Sequence, residues 1–299
     1  MKKIKILITG GSGFVGKYLI SALEAKGTYE IRFLQSDIRD QKQVLDQIQK
    51  DSPDFVIHLA AQAFVPRAIE DPWETENINV MGTLNLLEGL HRLKKPVRML
   101  YVSSSDVYGR QRLEDLPYNE ALSPNPLNPY SGSKLAAETY CKQYALYNQD
   151  LQVIIARPFN HIGVGQRKEF VIPNFCHQVV NAKKRNETFI SVGDLSPTRD
   201  FLNVKDIVDA YITLIETGSS GEVYNICSGK EISIQWMAES ILKISGYTLE
   251  FRIDQSRIRS AETNRVFGDN TKIKNLGWSQ KYEILDALTE IYRFIEAET

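Results

Sequence analysis

The chain has 299 residues, of which 42% are apolar and 24% charged, a composition typical of a folded globular protein. Its 36 Lys and Arg residues nearly balance its 37 Asp and Glu residues, and the net charge of −1 argues against a surface built to hold nucleic acid or an anionic membrane. No apolar run approaches the roughly 18 residues needed to span a bilayer. Three widely spaced cysteines favour neither a disulfide framework nor a zinc site. We therefore expect a cytoplasmic protein without a metal ion and with no nucleic-acid or membrane partner.

Short β-branched runs alternate with longer helical patterns in the first half of the chain. Strands are predicted at Ile4–Thr9, Glu30–Leu34, Phe55–Ala60, Val97–Ser103 and Val153–Arg157. Helices are predicted between them, at Val15–Ala25, Gln41–Lys50, Ile78–Leu93 and Ser131–Asn148. Strands that are apolar on both faces and separated by helices are typical of a parallel sheet covered on both sides. The pattern predicts an α/β fold with a Rossmann-type, doubly wound parallel sheet.

The regular alternation ends near residue 160. Further helices are predicted at Phe170–Ala182, Val204–Glu216, Ile234–Ser245 and Ile284–Glu298, and a further strand at Glu222–Ile226. We expect a nucleotide-binding domain over residues 1–160 and a smaller α/β substrate-binding lobe over residues 161–299. The two are expected to interleave, because segments such as 198–228 return to the first domain.

The first predicted strand runs into a glycine-rich turn, Thr9-Gly10-Gly11-Ser12-Gly13-Phe14-Val15-Gly16, with the spacing GxxGxxG. Gly10 allows a tight turn, Gly13 lets the backbone approach a pyrophosphate, and Gly16 lets the helix pack close to the strand. The N-terminus of that helix then faces the anion. Because the pattern lies between a clear strand and a clear helix, it predicts a dinucleotide-binding loop rather than an ordinary turn.

A second pattern, Tyr130-Ser131-Gly132-Ser133-Lys134, places a phenol and an ammonium four residues apart at the start of a predicted helix. Such a pair shares one helix face, and the ammonium is expected to lower the pKa of the phenol from about 10. By itself the YxxxK spacing favours a solvated surface pair over a catalytic one. Ser104 follows the fourth strand, at the sheet edge where open α/β sheets bind ligands, and its hydroxyl can bind a substrate oxygen.

These motifs resemble, in order along the chain, those of the extended short-chain dehydrogenase/reductase family of nucleotide-sugar enzymes. The matching segments are TGGSGFVG at 9–16, HLAAQ at 58–62, NVMGT at 79–83, SSSDVYG at 103–109 and YSGSK at 130–134. The resemblance implies a catalytic triad of Ser104, Tyr130 and Lys134, with Ser105 and Asp106 beside it. It also implies NADP or NAD as the cofactor, bound by Gly10, Ser12, Gly13, Phe14, Val15, Gly16, Asp37, Ile38, Leu59, Ala60, Ala61, Tyr130, Lys134, Arg157 and Phe159.

The second half of the chain resembles the GDP-mannose 4,6-dehydratases and the GDP-4-keto-6-deoxymannose reductases. RPFNHIGVGQ at 157–166 is similar to their RPFNHxGPGQ segment, and RSAE at 259–262 to their RPxE segment. The resemblance implies a GDP-sugar substrate, because guanidinium groups suit a diphosphate and a carboxylate suits two ribose hydroxyls. The implied substrate-binding residues are Asn160, Phe170, Val171, Arg199, Arg259 and Glu262. Two of these residues have an alternative role that involves no substrate. Arg199 could instead form a surface ion pair with Asp200, and Glu262 could be a plain exposed acid.

Three reactions can start from the same Ser–Tyr–Lys centre. Reduction needs a hydride and a proton from Tyr130, whereas a 4,6-dehydratase needs a further acid–base carboxylate, a role for which Asp106 is one methylene short of the usual glutamate. Compared with the dehydratases that it resembles, the chain is also short after its second strand, where a strand–helix unit is missing. These features favour NAD(P)H-dependent reduction of a GDP-4-keto-6-deoxyhexose. Two alternatives to the reductase remain. One is a GDP-sugar dehydratase or 4-epimerase with tightly bound cofactor, and the other is a non-catalytic nucleotide sensor.

The shortened segment also affects the cofactor and the assembly that we expect. An acid usually reads the adenosine ribose of NAD, and an arginine that of NADP, so Arg32 and Arg39 are candidates beside Asp37. Alternatively, Asp37 is a helix N-cap. Enzymes of the family that the chain resembles commonly form dimers, so we expect a homodimer through the helices Ile78–Leu93 and Ser131–Asn148. Alternatively, the apolar faces of these helices simply pack on the sheet.

Overall fold

The computed structural model of the protein describes residues 3–257 and 264–299. Its strands are β1 (Ile4–Thr9), β2 (Tyr29–Phe33), β3 (Phe55–His58), β4 (Val97–Val102), β5 (Leu151–Pro158), β6 (Asn160–Ile162), β7 (Phe189–Val192), β8 (Thr198–Arg199), β9 (Phe201–Asn203), β10 (Val223–Ile226), β11 (Ile232–Ser233), β12 (Glu250–Ile253) and β13 (Arg265–Val266). Its α-helices are α1 (Phe14–Lys26), α2 (Gln41–Asp51), α3 (Val65–Glu70), α4 (Pro72–Glu76), α5 (Gly82–Arg92), α6 (Pro129–Tyr147), α7 (Val171–Arg185), α8 (Val204–Thr217), α9 (Ile234–Ser245), α10 (Thr271–Lys274) and α11 (Ile284–Glu298). Short 3-10 turns cover Ser105–Tyr108, Leu113–Asp115 and Gln255–Arg257.

The centre of the molecule is a six-stranded parallel sheet in the order β10-β5-β4-β3-β1-β2. Ile6 in β1 pairs with Ile31 of β2 on one side and with Phe55 of β3 on the other. Strand β2 forms the edge of this sheet, which agrees with the missing strand–helix unit that the sequence indicates. The predicted α/β fold with a doubly wound parallel sheet is confirmed.

Apolar side chains cover both faces of the sheet. On one face, Leu19 and Leu23 of α1 and Ile207 and Tyr211 of α8 pack against the strands, and all four are buried. On the other face the cover comes from α2, α5 and α6, which contribute residues such as Leu86. Each fully buried leucine or isoleucine contributes roughly 2 kcal/mol through the loss of apolar surface to water. Burial on both faces is the physical reason that the strands read as continuous apolar runs.

The second half of the chain forms its own apolar cluster and also returns to the central sheet. Helices α7, α9 and α11 pack together around residues such as Phe175, Met237 and Leu288. Strand β10 pairs with β5 in the central sheet, and β6 pairs with β9 in a small parallel pair. The chain therefore crosses between the two regions after residue 160, while the domain boundary itself stays a prediction.

Two element boundaries differ from the sequence-based ones for local reasons. The helix predicted from Ile78 begins earlier, as α4, because the Asp71 carboxylate accepts a hydrogen bond from the Glu74 N–H and proline occupies the first helical position. A π-helical turn over Asn77–Met81 then joins α4 to α5. Helix α6 begins at Pro129 rather than Ser131, because Asn128 caps it by accepting from the Ser131 N–H at 2.9 Å.

Candidate active site

The glycine-rich turn after β1 has no side chains at the positions where a ligand would approach its backbone. Gly10 has φ +69°, and a Cβ on it would lie 2.7 Å from the Ala60 backbone nitrogen. A Cβ on Gly16 would lie 2.5 Å from the Gly11 carbonyl oxygen. Helix α1 starts after Gly13 without a side-chain cap, so its first N–H groups are available to an anion. These features fit the pyrophosphate of a dinucleotide, as the GxxGxxG spacing predicts.

Other predicted cofactor residues lie at the same edge of the sheet. Ser12 is exposed in the turn, and Phe14 and Val15 are half-buried in the first turn of α1. The Phe14 ring lies parallel to the His161 ring, with a centroid separation of 6.2 Å. This contact joins the start of α1 to β6, in which the His161 Nδ1 lies 3.0 Å from the Phe159 carbonyl oxygen.

The residues that follow β3, Leu59, Ala60 and Ala61, are half-buried beside the glycine-rich turn. The Ala60 N–H donates to Thr9 Oγ1 at 3.1 Å, and that hydroxyl lies 2.6 Å from Nδ1 of His58. Burial, together with the charge of Lys134, lowers the pKa of His58 to about 3. The imidazole is therefore neutral and serves to hold the ends of β1 and β3 together.

The predicted triad is assembled where β4 ends and α6 begins. Tyr130 is 9% exposed and Lys134 is 4% exposed, so the alternative of a solvated surface pair is wrong. The Tyr130 side chain is hydrogen-bonded to Ser104. Ser104 Oγ also accepts a hydrogen bond from the Asp106 N–H at 3.1 Å and thereby fixes the turn that follows β4. Ser105 in this turn is buried, whereas Asp106 is exposed.

The predicted lowering of the Tyr130 pKa is wrong. Burial raises the pKa of Tyr130 and the charge of Asp106 raises it further, whereas the hydrogen bond with Ser104 acts in the opposite direction. The Lys134 ammonium instead donates to the Val102 carbonyl oxygen at 2.8 Å. Desolvation is therefore the largest influence on the pKa of Tyr130. Tyr130 is therefore a protonated phenol at neutral pH, which is the form that donates a proton.

Lys134 itself lies in an apolar setting that disfavours its charge. Burial lowers the pKa of its ammonium to about 8, while Cys141 and Glu138 act in the opposite direction. The ammonium lies 5.2 Å from the centroid of the Tyr101 ring. At pH 7 it remains mostly charged, and it is close enough to its pKa for a nearby charge to change its protonation.

Arg157 and Phe159, both predicted as cofactor residues, lie in the interior. Arg157 is 1% exposed, and its guanidinium forms a bidentate ion pair with Glu138, at 2.9 Å and 2.7 Å. Phe159 packs in a small buried cluster with Tyr108 and other apolar residues.

Glu138, the partner of Arg157, was not singled out from the sequence. Its position four residues after Lys134 was the available signal, since this spacing places both side chains on one face of a helix.

Asp37 and Ile38 lie near the edge strand β2. The Asp37 carboxylate accepts from Arg39 Nε at 3.0 Å, and this hydrogen bond lowers the pKa of Asp37 to about 2. The N-cap of α2 is Asp40, which accepts from the Gln43 N–H at 3.0 Å, so the alternative of Asp37 as the cap is wrong. Ile38 is buried beneath Gly82, where a Cβ would lie 2.7 Å from the isoleucine side chain.

The predicted substrate residues are spread over the second half of the chain. Asn160 begins β6 and is half-buried, and Val171 is exposed at the start of α7. The Phe170 ring lies 6.1 Å from the Phe64 ring, so the segment before α7 meets the segment after β3. Arg259 and Glu262 lie outside the described residues.

Arg199 is half-buried in β8, and its Nη1 donates to the Thr198 carbonyl oxygen at 2.8 Å. The neighbouring Asp200 is fully buried and accepts hydrogen bonds from the Ser228 N–H at 2.7 Å and the Gly229 N–H at 2.9 Å. The alternative of a surface ion pair is therefore wrong for Asp200. This carboxylate instead ties the strand that carries Arg199 to the loop after β10.

Two further observations concern the residues that the structure describes. Over residues 3–257 and 264–299, no helix has the length and apolar character needed to cross a membrane. Within the same ranges, no group of three or more His, Cys, Asp or Glu side chains is arranged to hold a metal ion. Cys141, Cys176 and Cys227 are all buried free thiols.

Known proteins resemble this chain over nearly its whole length. The family model for GDP-mannose 4,6 dehydratase matches residues 27–291. The chain is 40% identical over 297 residues to GDP-6-deoxy-D-mannose reductase of Pseudomonas aeruginosa, covering 96% of this chain and 95% of that protein. It is 32% identical over 293 residues to GDP-6-deoxy-D-talose 4-dehydrogenase of Aggregatibacter actinomycetemcomitans, covering 96% of each.

A solved structure has the same fold. The structure of RMD from Pseudomonas aeruginosa complexed with NADPH matches with a TM-score of 0.92 and 38% identity, covering 99% of this chain and 100% of that one. Together with the sequence matches, this confirms the prediction of an NAD(P)-dependent nucleotide-sugar enzyme. The chain belongs to the extended short-chain dehydrogenase/reductase family, in the group that the GDP-mannose 4,6 dehydratase model describes.

Proposed function

We propose that the protein reduces a GDP-4-keto-6-deoxyhexose to the corresponding GDP-6-deoxyhexose. The observation that carries this proposal is the buried, protonated Tyr130, hydrogen-bonded to Ser104 at the carboxyl edge of the sheet. A ketone reductase needs such a proton donor beside the reacting carbonyl. The 40% identity to a GDP-6-deoxy-D-mannose reductase supports the choice of substrate.

The glycine-rich turn and the triad fit a nicotinamide dinucleotide. The residues that would hold it are Gly10, Gly13 and the N-terminus of α1 at the pyrophosphate, with Tyr130 and Lys134 near the nicotinamide end. A Cβ at Gly10 would fill the space beside the Ala60 backbone, so the cradle depends on glycine there. When bound in its reduced form, the nicotinamide supplies the hydride.

The side chains of the triad then have separate tasks. Ser104 donates a hydrogen bond to the carbonyl oxygen and orients it. Tyr130 donates its proton to that oxygen as negative charge develops there, since a phenol is a far stronger acid than an alcohol. The Lys134 ammonium, one helical turn away, stabilises the tyrosinate that remains.

A 4,6-dehydratase is the second candidate, because Asp106 lies close enough to raise the pKa of Tyr130. Such an enzyme must remove a proton at C5 and expel the C6 hydroxyl, which requires a second acid–base group. Asp106 is exposed in the turn after β4 and carries the required carboxylate. The dehydratase reaction regenerates its cofactor, so it consumes no added reductant.

We further infer that NADPH is preferred to NADH. The Asp37 carboxylate is paired with Arg39, and an acid already bound to a guanidinium is a poor acceptor for the two ribose hydroxyls of NADH. Arg39 donates to Asp37 through Nε and Nη2 and is half exposed, and a guanidinium carries five N–H donors, so it can also bind a 2′-phosphate. The NADPH complex of the 38% identical RMD supports the same choice.

The purified protein mixed with GDP-4-keto-6-deoxymannose and NADPH is expected to consume the reduced cofactor, as measured by absorbance at the reduced-nicotinamide band. NADH in a parallel reaction is expected to give a lower kcat/KM, because it lacks the 2′-phosphate. Unchanged absorbance with both cofactors would contradict the proposed reductase. Conversion of GDP-mannose to a keto sugar without added reductant would support the dehydratase instead.

We also propose a homodimer formed through α5 and α6. Cys141 and Tyr144 are buried against the sheet within one chain. In contrast, Met81, Leu146 and Tyr147 are exposed, and Leu146 reaches 85% exposure. Leu146 and Tyr147 end α6 and Met81 directly precedes α5, so both helices carry exposed apolar side chains, which favours an interface there.

Light scattering is expected to give a mass near twice the 34.0 kDa of one chain. Leu146→Glu should shift the mass towards one chain, because it would place a carboxylate in the apolar contact. Ile253→Glu changes an equally apolar, exposed side chain on β12 and is expected to leave the mass unchanged. A wild-type mass of one chain would rule out this assembly.

A further inference from the structure

A buried carboxylate to which the proposed mechanism assigns no task lies one helical turn beyond Lys134. Glu138 is 1% exposed, and its Oε1 accepts hydrogen bonds from Ser103 Oγ at 2.6 Å and Arg157 Nε at 2.9 Å. Its Oε2 accepts from Arg157 Nη2 at 2.7 Å. Because both ions have lost their hydration, a pair of this kind often stabilises a fold no better than apolar side chains of equal volume. Stability is therefore a weak explanation for its presence.

The pair joins the elements that build the active site. Glu138 lies on α6 with Tyr130, while Ser103 is the first residue after β4 and directly precedes Ser104. Arg157 comes from β5, and its guanidinium lies 4.7 Å from the centroid of the Tyr108 ring at the end of the turn that follows Ser104. The Tyr108 hydroxyl donates in turn to Asn225 Oδ1 at 2.7 Å. Both ends of the segment that carries Ser104 are thus held by this one ion pair.

We propose that the Glu138–Arg157 pair is a positioning unit for the reaction, which fixes Ser104 against Tyr130 and places a negative charge one helical turn from Lys134. Neither residue needs to contact the substrate, because Ser103 and Tyr108 transmit the restraint to Ser104. The inference rests on the proposed reductase function, since it assigns the pair a role in that reaction.

The charges around Lys134 support the electrostatic part of this role. Burial raises the pKa values of Tyr101 and Cys141 well above their ordinary values, so both are neutral at pH 7. His58 is neutral as well. Cys141 and Glu138 both raise the pKa of the Lys134 ammonium against desolvation, and Glu138 is the one of the two that carries a carboxyl group. The titratable groups near that ammonium are Tyr130, Glu138 and Cys141 on its own helix, His58 on β3 and Tyr101 on β4.

The test is the double variant Glu138→Met/Arg157→Met, which removes both charges and leaves no unpaired buried ion. We expect kcat to fall roughly ten- to hundredfold through displacement of Ser104, with little change in the KM for NADPH. We also expect the basic limb of the kcat profile to move to lower pH, because Lys134 loses its negative neighbour and deprotonates earlier. NMR of lysine labelled at Cε, with Lys134 assigned through Lys134→Arg, measures the same titration without any substrate.

Ser103→Ala is a milder variant that keeps the ion pair and removes a single tether. We expect a severalfold lower kcat and an unchanged Lys134 titration. Lys183→Met/Glu296→Met removes an exposed ion pair of the second lobe, at 2.9 Å, and serves as the matched control with wild-type kinetics.

A folded double variant with the wild-type kcat, pH profile and Lys134 titration would overturn the inference. If the double variant does not fold, Ser103→Ala provides the test instead. Wild-type activity in Ser103→Ala would then overturn the inference, and a selective loss of kcat would support it. If the wild-type protein does not reduce the GDP-keto sugar, the proposed function fails. The Lys134 titration in the double variant then decides the role of the pair separately.

Discussion

Tyr130→Phe is expected to lower kcat by roughly 10²- to 10⁴-fold, the range typical for the loss of a general acid. In the proposed mechanism the phenol is the proton donor, and phenylalanine keeps the ring in its buried site while removing the hydroxyl that is hydrogen-bonded to Ser104. Steady-state kinetics with the GDP-keto sugar and NADPH measure the loss. Cofactor affinity, measured by the change in protein fluorescence, should stay within a few-fold of the wild-type value because the glycine-rich turn is untouched.

Tyr140→Phe is the matched control, since it removes a phenol hydroxyl from the same helix, α6, at a half-buried position outside the site. It is expected to leave kcat unchanged. Retained activity in Tyr130→Phe would remove Tyr130 from the role of acid. Loss of activity in both variants would instead indicate a general effect on α6.

Gly10→Ala is expected to raise the Kd for the dinucleotide by at least about 100-fold. A left-handed backbone costs an alanine roughly 1–2 kcal/mol, and its Cβ would lie 2.7 Å from the Ala60 backbone nitrogen. Because neither backbone segment can move without disturbing β1 or β3, the cradle for the pyrophosphate should be displaced. Fluorescence titration with NADPH measures the affinity, and thermal unfolding measures the accompanying loss of stability.

Gly27→Ala is the control that separates the two effects of Gly10→Ala, namely the strain of a left-handed backbone and the steric clash of the new Cβ with Ala60. Gly27 has φ +66°, nearly the value at Gly10, but a Cβ there would meet no atom within 4 Å. This variant is expected to be modestly destabilised and to bind the cofactor normally. Equal affinities in the two variants would show that contact with Ala60 does not shape the cofactor site.

Much of the architecture was predictable because its signals are local. The continuous apolar runs at β1, β4 and β5 reflect strands covered on both faces, and the central sheet is parallel as they predict. The glycine spacing after β1 located the turn whose φ values and close contacts require glycine. The start of α4 was missed because the cap at Asp71 precedes a short helix with little apolar periodicity.

The site was only partly predictable, since several of its properties depend on residues that are distant in sequence. Asp37 was a candidate cap or ribose ligand, and only the fold shows that Asp40 caps α2 while Asp37 binds Arg39. Arg157 was expected at the cofactor, yet its guanidinium is bound to Glu138 from another element.

The sequence by itself determined the class of fold, because periodicity is a property of the chain, and its motifs identified the family by resemblance. The triad of Ser104, Tyr130 and Lys134 is what that resemblance implies. Only the tertiary structure decided the protonation of that triad. An ammonium four residues from Tyr130 suggests a lowered pKa, yet burial raises the pKa of Tyr130 and lowers that of Lys134 to about 8. The physical reason is that desolvation and contacts with β4 and β5 exist only once these elements pack around the start of α6.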